Sequence, residues 1–247
     1  MHNDPATMAN VASQNTLVDD GVGKVLAALE KQGLDRNTLI VFSSDQGNFY
    51  GQHGIWQHTV MTTPANLYET AMNVPLIVSH PGVIGSGRQS DALLGQYDLA
   101  ATLLDYVGIS KVRFENSPGQ SFAAGLKNKD TSIGRELVFF EQEETRGVRS
   151  EKFAYWQRIA GVGKPELYDM AADPRQLVNL ADSPEHQKVV ATLARALQRF
   201  FEKYSDPQYD LWHGGVAKGS VVRPGMFKAL YGNDWAPKTT MLPAFEE

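Results

Sequence analysis

The chain alternates between short apolar runs and polar loops, and one of these transitions is abrupt. Leu39–Phe42 is a continuous apolar run, which is typical of a strand buried on both faces. The next five residues, Ser43–Gly47, are polar or glycine. Because ligands in open α/β sheets collect at the carboxyl ends of strands, this pattern predicts a strand that presents oxygen-bearing side chains at its end.

Helical and strand patterns lie on either side of this segment. Residues 10–32 carry apolar side chains at helical spacing and are followed by Gly33, which suits a left-handed carboxyl cap, so they predict an amphipathic helix packed on the sheet. Val74–Ser79 predicts a second buried strand, and Tyr97–Gly108 predicts another helix. The apolar positions of the first helix are Val18, Val22, Val25, Leu26 and Leu29.

After about residue 110 the pattern changes to short apolar segments separated by turns. Three segments predict strands of a small antiparallel sheet: Leu137–Glu141, Thr145–Ser150 and Lys152–Gln157. A capping serine, Ser183, then predicts a helix start. Residues 205–247 show no clear period, and we expect an extended tail that wraps the domain or contacts a partner. The predicted buried face of the helix consists of Val189, Val190, Leu193, Leu197, Phe200 and Phe201.

Composition narrows the class of protein. The 247 residues are enough for one large α/β core, or for a core with a small appended domain. The net charge of −5, with no basic cluster, argues against nucleic acid as a partner. No apolar run approaches the ~20 residues of a membrane-spanning helix, and we expect no export signal at the start of this chain. The lack of cysteine excludes disulfides, thiolate zinc sites and a cysteine nucleophile.

The polar segment after the first strand carries the candidate chemistry. Asp45 offers a carboxylate and Gln46 a carbonyl oxygen, the ligands that hard divalent cations prefer. His53, Trp56 and His58 follow within thirteen residues of Asp45. Each has a simpler reading: Asp45 could close a turn with its own backbone, His53 could shape the loop, and Trp56 could belong to the core.

The segment resembles a known family at several points. Ser44–Gly47, Gly51–Trp56, Leu67–Glu69 and Val74–Val78 are similar to the second metal half-site of the sulfatases of the alkaline-phosphatase superfamily. Further similarities to this family, up to about residue 205, lie in Tyr97–Gly108, Arg146–Tyr155, Glu166–Pro174 and Asn179–Ala181.

The resemblance assigns roles to the candidate residues. In that family the aspartate and the residue after it bind a calcium ion, which implies Asp45 and Gln46 as metal ligands. A lysine that contacts the sulfate group usually stands thirteen residues after the aspartate, and His58 occupies that position here. His58, with His53, is therefore the implied catalytic and sulfate-contacting group, as a protonated or neutral donor, and Trp56 joins His58 in the substrate pocket.

Two other parts of the family's site have no match in this sequence. The family makes its formylglycine nucleophile from a Cys/Ser-x-Pro-x-Arg motif and completes its metal site with an Asp-Asp pair near its amino terminus. Neither is found here, so we expect the chain to correspond to the carboxyl-terminal half of a sulfatase.

These inferences define the expected architecture. We predict an α/β fold with an alkaline-phosphatase/sulfatase-like sheet flanked by helices and a small antiparallel carboxyl-terminal subdomain. Residues 1–115 would form the carboxyl-terminal part of the catalytic domain, residues 116–204 the small subdomain with its closing helix, and residues 205–247 the tail.

The expected function is calcium-dependent hydrolysis of sulfate esters, with a small-molecule or glycan sulfate ester as substrate. The missing amino-terminal half or another copy of the chain is a possible partner. A non-catalytic remnant or binding module is the alternative, and a phosphodiester or phosphonate monoester hydrolase is the rival within enzymes. The sequence does not define the compartment, although members of the family are often periplasmic or secreted.

Overall fold

The computed structural model describes residues 5–59, 62–109, 112, 114–128, 131–217 and 221–237. The helices are α1 Pro5–Lys31, α2 Glu69–Met72, α3 Leu99–Tyr106, α4 Ala123–Lys127, α5 Gln187–Tyr204 and α6 Pro224–Tyr231. The strands are β1 Ile40–Ser43, β2 Phe49–Tyr50, β3 Trp56–Gln57, β4 Leu76–Ser79, β5 Val138–Gln142, β6 Thr145–Arg149, β7 Phe153–Arg158 and β8 Glu166–Asp169.

Strands β1 and β4 form the sheet that carries the candidate site. They are the two strands predicted from the apolar runs, and they pair antiparallel, with Ser43 opposite Leu76. The expectation that these strands are buried is wrong for the described residues, since no residue in either strand is buried and Ile77 is 60% exposed. The carboxyl end of β1 therefore lies beside the amino end of β4. This register brings the polar loop after Ser43 next to α2, which immediately precedes β4.

The carboxyl-terminal half contains a four-stranded antiparallel meander in the order β5-β6-β7-β8. Its core joins one face of the sheet to α5, whose buried residues are Leu193, Leu197 and Phe201. The predicted small sheet and the apolar face of the closing helix are confirmed. The helix start differs, because Pro184–His186 forms a 3₁₀ turn before α5 and Ser183 makes no side-chain bond to the backbone there.

Helix α1 differs from the prediction in its packing. It extends over Pro5–Lys31, but no residue in it is buried, and Leu17 and Val25 are 70% and 61% exposed. The expectation that α1 packs on the sheet is therefore wrong for the described residues. Its periodicity correctly indicates an apolar face, but periodicity does not say what covers that face.

The described part of residues 205–247 contains more structure than an extended tail. Leu211–His213 forms a 3₁₀ turn and Pro224–Tyr231 forms α6. Phe227 and Trp235 stack with ring centroids 4.9 Å apart and pack with Ile159 in a separate apolar cluster. The buried aromatic area explains why this segment folds back on the domain. Residues 218–220 and 238–247 of the tail predicted for residues 205–247 lie outside the described residues.

Candidate active site at the end of the first strand

The polar loop after β1 is fixed by its neighbours. Ser44 Oγ donates a hydrogen bond to the Gln46 carbonyl at 2.8 Å, and Gly47 N donates to the Ala71 carbonyl of α2 at 2.8 Å. A Cβ atom on Gly47 would lie 2.2 Å from the Thr70 carbonyl oxygen. Glycine is needed here because the backbone of the loop touches the backbone of α2.

A second contact to the same loop comes from Gln96, in the turn before α3. Gln96 Nε2 donates to the Ser44 carbonyl at 2.6 Å and lies 3.4 Å from the Asp45 carbonyl. Sequence analysis missed Gln96. Its contacts are to backbone carbonyls, which every residue possesses, so no pattern in residues 43–47 indicates a partner at position 96.

Gln96 stands on a firmly anchored turn. It opens the 3₁₀ segment Gln96–Asp98, and Asp98 is only 1% exposed. The Asp98 carboxylate accepts hydrogen bonds from the backbone N–H groups of Gly95 at 2.9 Å and Gln120 at 2.8 Å, and it forms an ion pair with Arg135. These bonds satisfy the buried carboxylate and define the position of the turn.

The side chains of Asp45 and Gln46 are exposed at this loop. Asp45 Oδ1 lies 3.4 Å from Ser44 Oγ, and no cationic side chain in the described segments lies within ion-pair distance of Asp45. A carboxylate and an amide carbonyl are donors of the right chemistry for a hard cation, which takes six to eight oxygens in the case of Ca²⁺. These two residues fit such an ion as part of its ligand set.

No third ligand of the usual kind joins them. Over the described ranges, no group of three or more histidine, aspartate or glutamate side chains is placed to hold a metal ion. Asp45, His53 and His58 therefore do not converge on one metal centre.

His53 lies in the turn between β2 and β3, in a left-handed conformation with φ of 54°. Its ring stacks on Tyr68 at a centroid distance of 3.8 Å and meets the edge of Phe49 at 6.3 Å. Burial lowers the pKa of His53 below its usual range, although Asp173 and Glu166 act in the opposite direction. The neutral imidazole is thus favoured, and Tyr68 places it next to α2, the helix that also holds Gly47.

Trp56 and His58 lie in and just after β3, and both are partly buried. Trp56 pairs with Tyr50 across the β2-β3 hairpin and lies against Gly51. His58 Nδ1 is buried and has no hydrogen-bond partner in the described part of the chain. A buried polar atom without a partner is costly, so a ligand, ion or water that bonds to this nitrogen would be stabilised there.

The loop after His58 is clamped to the meander. Ala65 N donates to the Oε1 atom of the fully buried Glu144 at 2.6 Å, and the Ala65 carbonyl accepts from Thr145 Oγ1 at 2.9 Å. Asn66 Nδ2 donates to the Thr59 carbonyl at 3.1 Å. The small subdomain therefore fixes the backbone beside His58, which connects the two halves of the chain through this loop.

Neighbouring residues hold both parts of this region: α2 and Gln96 fix the loop that carries the oxygen donors, and Tyr68 stacks on the imidazole of His53. Comparison with solved structures shows that the fold is that of the sulfatases of the alkaline-phosphatase type. One solved structure, of a protein in complex with its substrate D-glucosamine-2-N,6-O-disulfate, matches with a TM-score of 0.66 and 29% identity over 76% of this chain and 38% of that protein. The phosphonate monoester hydrolase of Agrobacterium radiobacter matches with a TM-score of 0.64 and 25% identity over 77% of this chain and 40% of that enzyme.

Sequence comparison identifies the family. The family model for the carboxyl-terminal part of N-sulphoglucosamine sulphohydrolase matches residues 51–203, more than half of the chain, so this chain belongs to the sulfatase family. The N-acetylglucosamine-6-O-sulfatase of Bacteroides thetaiotaomicron is 31% identical over 204 residues, which are 78% of this chain and 35% of that relative. The resemblance inferred from the motifs is confirmed.

The chain spans less than half the length of each of these three proteins. In the described segments, each helix is too short or too polar to cross a bilayer.

Proposed function

We propose that this chain supplies one half of the active site of a sulfatase that hydrolyses sulfate esters of sugars. The observation that carries the proposal is the pair of exposed oxygen donors, Asp45 and Gln46, on a loop fixed by α2 and by Gln96. The family match supports the reaction type. The names of the two sugar-related proteins above support a sulfated sugar as the substrate class.

Each residue has a defined task in this proposal. Asp45 and Gln46 would hold a divalent cation, with Ca²⁺ as the family's ion, and that ion would neutralise charge on the sulfate oxygens. His58 would donate a hydrogen bond to a sulfate oxygen, which would give its buried Nδ1 a partner or fix its ring for donation from Nε2. Trp56 would form an apolar wall for the sugar, and His53 would orient the turn beside it.

The nucleophile and the remaining metal ligands would come from a segment that is not part of these 247 residues. In the family the nucleophile is a formylglycine. The proposal therefore requires a partner segment, either encoded next to this chain or supplied by a companion chain.

The test is an assay of this chain together with the amino-terminal sulfatase segment from its source. We expect release of sulfate from glucosamine 6-sulfate and from an aryl sulfate. Asp45→Ala should reduce kcat/KM by at least about 100-fold, since it removes a charged group from the metal and sulfate site. The matched control is Asp182→Ala, which removes another exposed carboxylate, one that forms a 3.9 Å pair with Lys164. Full activity of the Asp45→Ala protein would overturn the proposal.

The phosphonate monoester hydrolase match favours a second candidate, hydrolysis of phosphonate monoesters or phosphodiesters. The two reactions are separated by matched sulfate, phosphate and phosphonate esters of one alcohol. Preference for the phosphonate would replace the sulfatase proposal. Lack of turnover of every ester by the combined segments would favour a non-catalytic binding module.

A further inference from the structure

Among the described residues, the Gln96 side chain joins the turn before α3 to the backbone of the Ser44–Gly47 loop through the hydrogen bonds given above. Both of its acceptors are carbonyl oxygens, so the amide must present its NH₂ group to them. The side chain is exposed, yet it bonds to a loop about fifty positions earlier in the sequence.

The support behind Gln96 is rigid. Asp98, two residues later, is buried and satisfied by two backbone N–H groups and Arg135. The carbonyl of Asp98 also accepts from Thr102 Oγ1 at 2.7 Å, which ties the turn to α3. A hydrogen-bond donor on an anchored turn can fix the orientation of a neighbouring loop. A donor on a mobile loop cannot do so.

We infer that Gln96 is a positioning residue for the Asp45–Gln46 pair. Its amide binds the Ser44 carbonyl, approaches the Asp45 carbonyl, and so turns these backbone oxygens away from an incoming ligand. The oxygens left to face the ligand are then the side-chain oxygens of Asp45 and Gln46. The inference rests on the proposed cation site, but the loop restraint itself is measurable without any cation.

The first experiment measures amide hydrogen exchange of Gly47 by NMR on the full chain. Gly47 N donates to Ala71, so its exchange rate reports how often the loop opens. Gln96→Met keeps a side chain of similar length but removes the donor, and we expect Gly47 to exchange about five-fold faster, the effect of one neutral hydrogen bond. Gln96→Glu should accelerate exchange further, because it places acceptor oxygens against carbonyl oxygens.

The control is Gln120→Met, which changes a second exposed glutamine whose backbone N–H, not its side chain, bonds to Asp98. It should leave Gly47 exchange unchanged. An unchanged Gly47 rate in Gln96→Met would overturn the inference. Equal acceleration of Gly47 and of the amides of β6 would also overturn it, since that result would indicate a loss of global stability only.

A second experiment uses Tb³⁺ as a luminescent probe of the cation site. Wild-type chain should bind Tb³⁺, Asp45→Asn should abolish binding, and Gln96→Met should weaken it several-fold. Faster Gly47 exchange without a change in Tb³⁺ affinity would refute the positioning role. If wild-type chain binds no Tb³⁺ while Gln96→Met still accelerates Gly47 exchange, the loop restraint stands and the proposed cation site in this isolated chain fails.

Discussion

Gly47 has no room for a side chain, although its φ angle does not lie in the left-handed region. The constraint is a close approach of two backbones: a Cβ atom would lie 2.2 Å from the Thr70 carbonyl oxygen and 3.0 Å from Ala71 Cα. The neighbours are backbone atoms of α2, so neither can rotate away. The loop or the helix must move to admit even one methyl group.

We predict that Gly47→Ala destabilises the chain by about 1–3 kcal/mol, the usual cost of forcing an extra carbon into a filled space. The shift should also move Asp45 and Gln46 and weaken cation binding. Urea denaturation measures the first effect. Gly23→Ala is the control, since no atom lies within 4 Å of its added carbon and alanine favours the helix around it. Equal stability of the Gly47→Ala and wild-type chains would show that the backbone of α2 does not restrict position 47.

The protonation of His53 makes the stability of the folded chain depend on pH. Its folded-state pKa is lowered by burial, while the unfolded side chain titrates near its usual value of about 6.5. Between these two values the unfolded chain binds a proton that the folded chain does not bind. Stability is therefore present above about pH 6.5 and is lost as the pH falls through the window below it.

We expect His53→Asn to reduce this loss. Asparagine tolerates the positive φ of this position and does not titrate, so the backbone is retained and the proton linkage removed. The measurement is the free energy of unfolding at pH 7.5 and pH 5.5 for both proteins. If the free energy of unfolding changes equally between the two pH values in both proteins, His53 does not contribute to the pH dependence.

For individual residues, the sequence is informative where the chemistry of a side chain follows directly from its position. Asp45 and Gln46 could be proposed because they end an apolar strand, and the structure does place them at that exposed end. Their metal role remains a prediction. Gln96 and the buried Nδ1 of His58 could not be proposed, because both depend on which backbone or cavity lies opposite.

Among the connecting elements, the turn before α3 shows how much depends on one buried carboxylate. Asp98 is bonded to two separate backbone segments and to Arg135, whose side chain is 13% exposed. Removing one partner of such a pair leaves the other buried without compensation. The turn, Gln96 and the start of α3 all rely on this contact.

Asp98→Asn should therefore cost about 3–5 kcal/mol of stability. The matched control is Asp182→Asn, whose partner Lys164 is 3.9 Å away and 86% exposed, and little change is expected there. Thermal or urea unfolding of both variants is the measurement. A loss for Asp98→Asn as small as that for Asp182→Asn would show that the ion pair contributes nothing to this turn.

The elements themselves could largely be predicted from sequence. The runs Leu39–Phe42 and Val74–Ser79 indicated β1 and β4, and the apolar stripe after Ser183 indicated α5. The strand partners could not be predicted in the same way, because an apolar run has no direction. At Ser183 the sequence predicted a capped α-helix start, whereas the structure has a 3₁₀ turn. Pro184 suits the first position of either, so the sequence does not distinguish them.

Large apolar side chains are exposed on α1 and β4, and also in other parts of the described chain. Leu17 and Val25 on α1 are largely exposed, and so is Ile77 on β4, at 60%. In the described part of the chain, β1 pairs only with β4, and a two-stranded sheet has two open edges. Sequence patterns indicated these apolar faces, but the expectation that the sheet covers α1 is wrong for the described residues.

We predict that the purified chain self-associates through this surface or binds a segment that covers it. Sedimentation velocity over a range of concentrations should show species larger than a monomer. The double variant Val25→Glu with Ile77→Glu should reduce association, whereas Leu177→Glu, at an exposed turn of the small subdomain, should not. A monodisperse wild-type monomer at all concentrations would contradict the prediction.

The connectivity of the β5-β8 meander has a consequence for how the chain folds. Each of its strands pairs with the strand next to it in sequence, and α5 follows β8 after one connection. Contacts between neighbouring segments close short loops and cost little chain entropy, so this unit should form early. The β1-β4 pair must enclose the whole β2-β3 hairpin first. The loop between β3 and α2 is then held by Glu144 and Thr145, which bond to Ala65. The half of the chain that bears the candidate site is thus expected to take shape last, on a surface that the meander has already built.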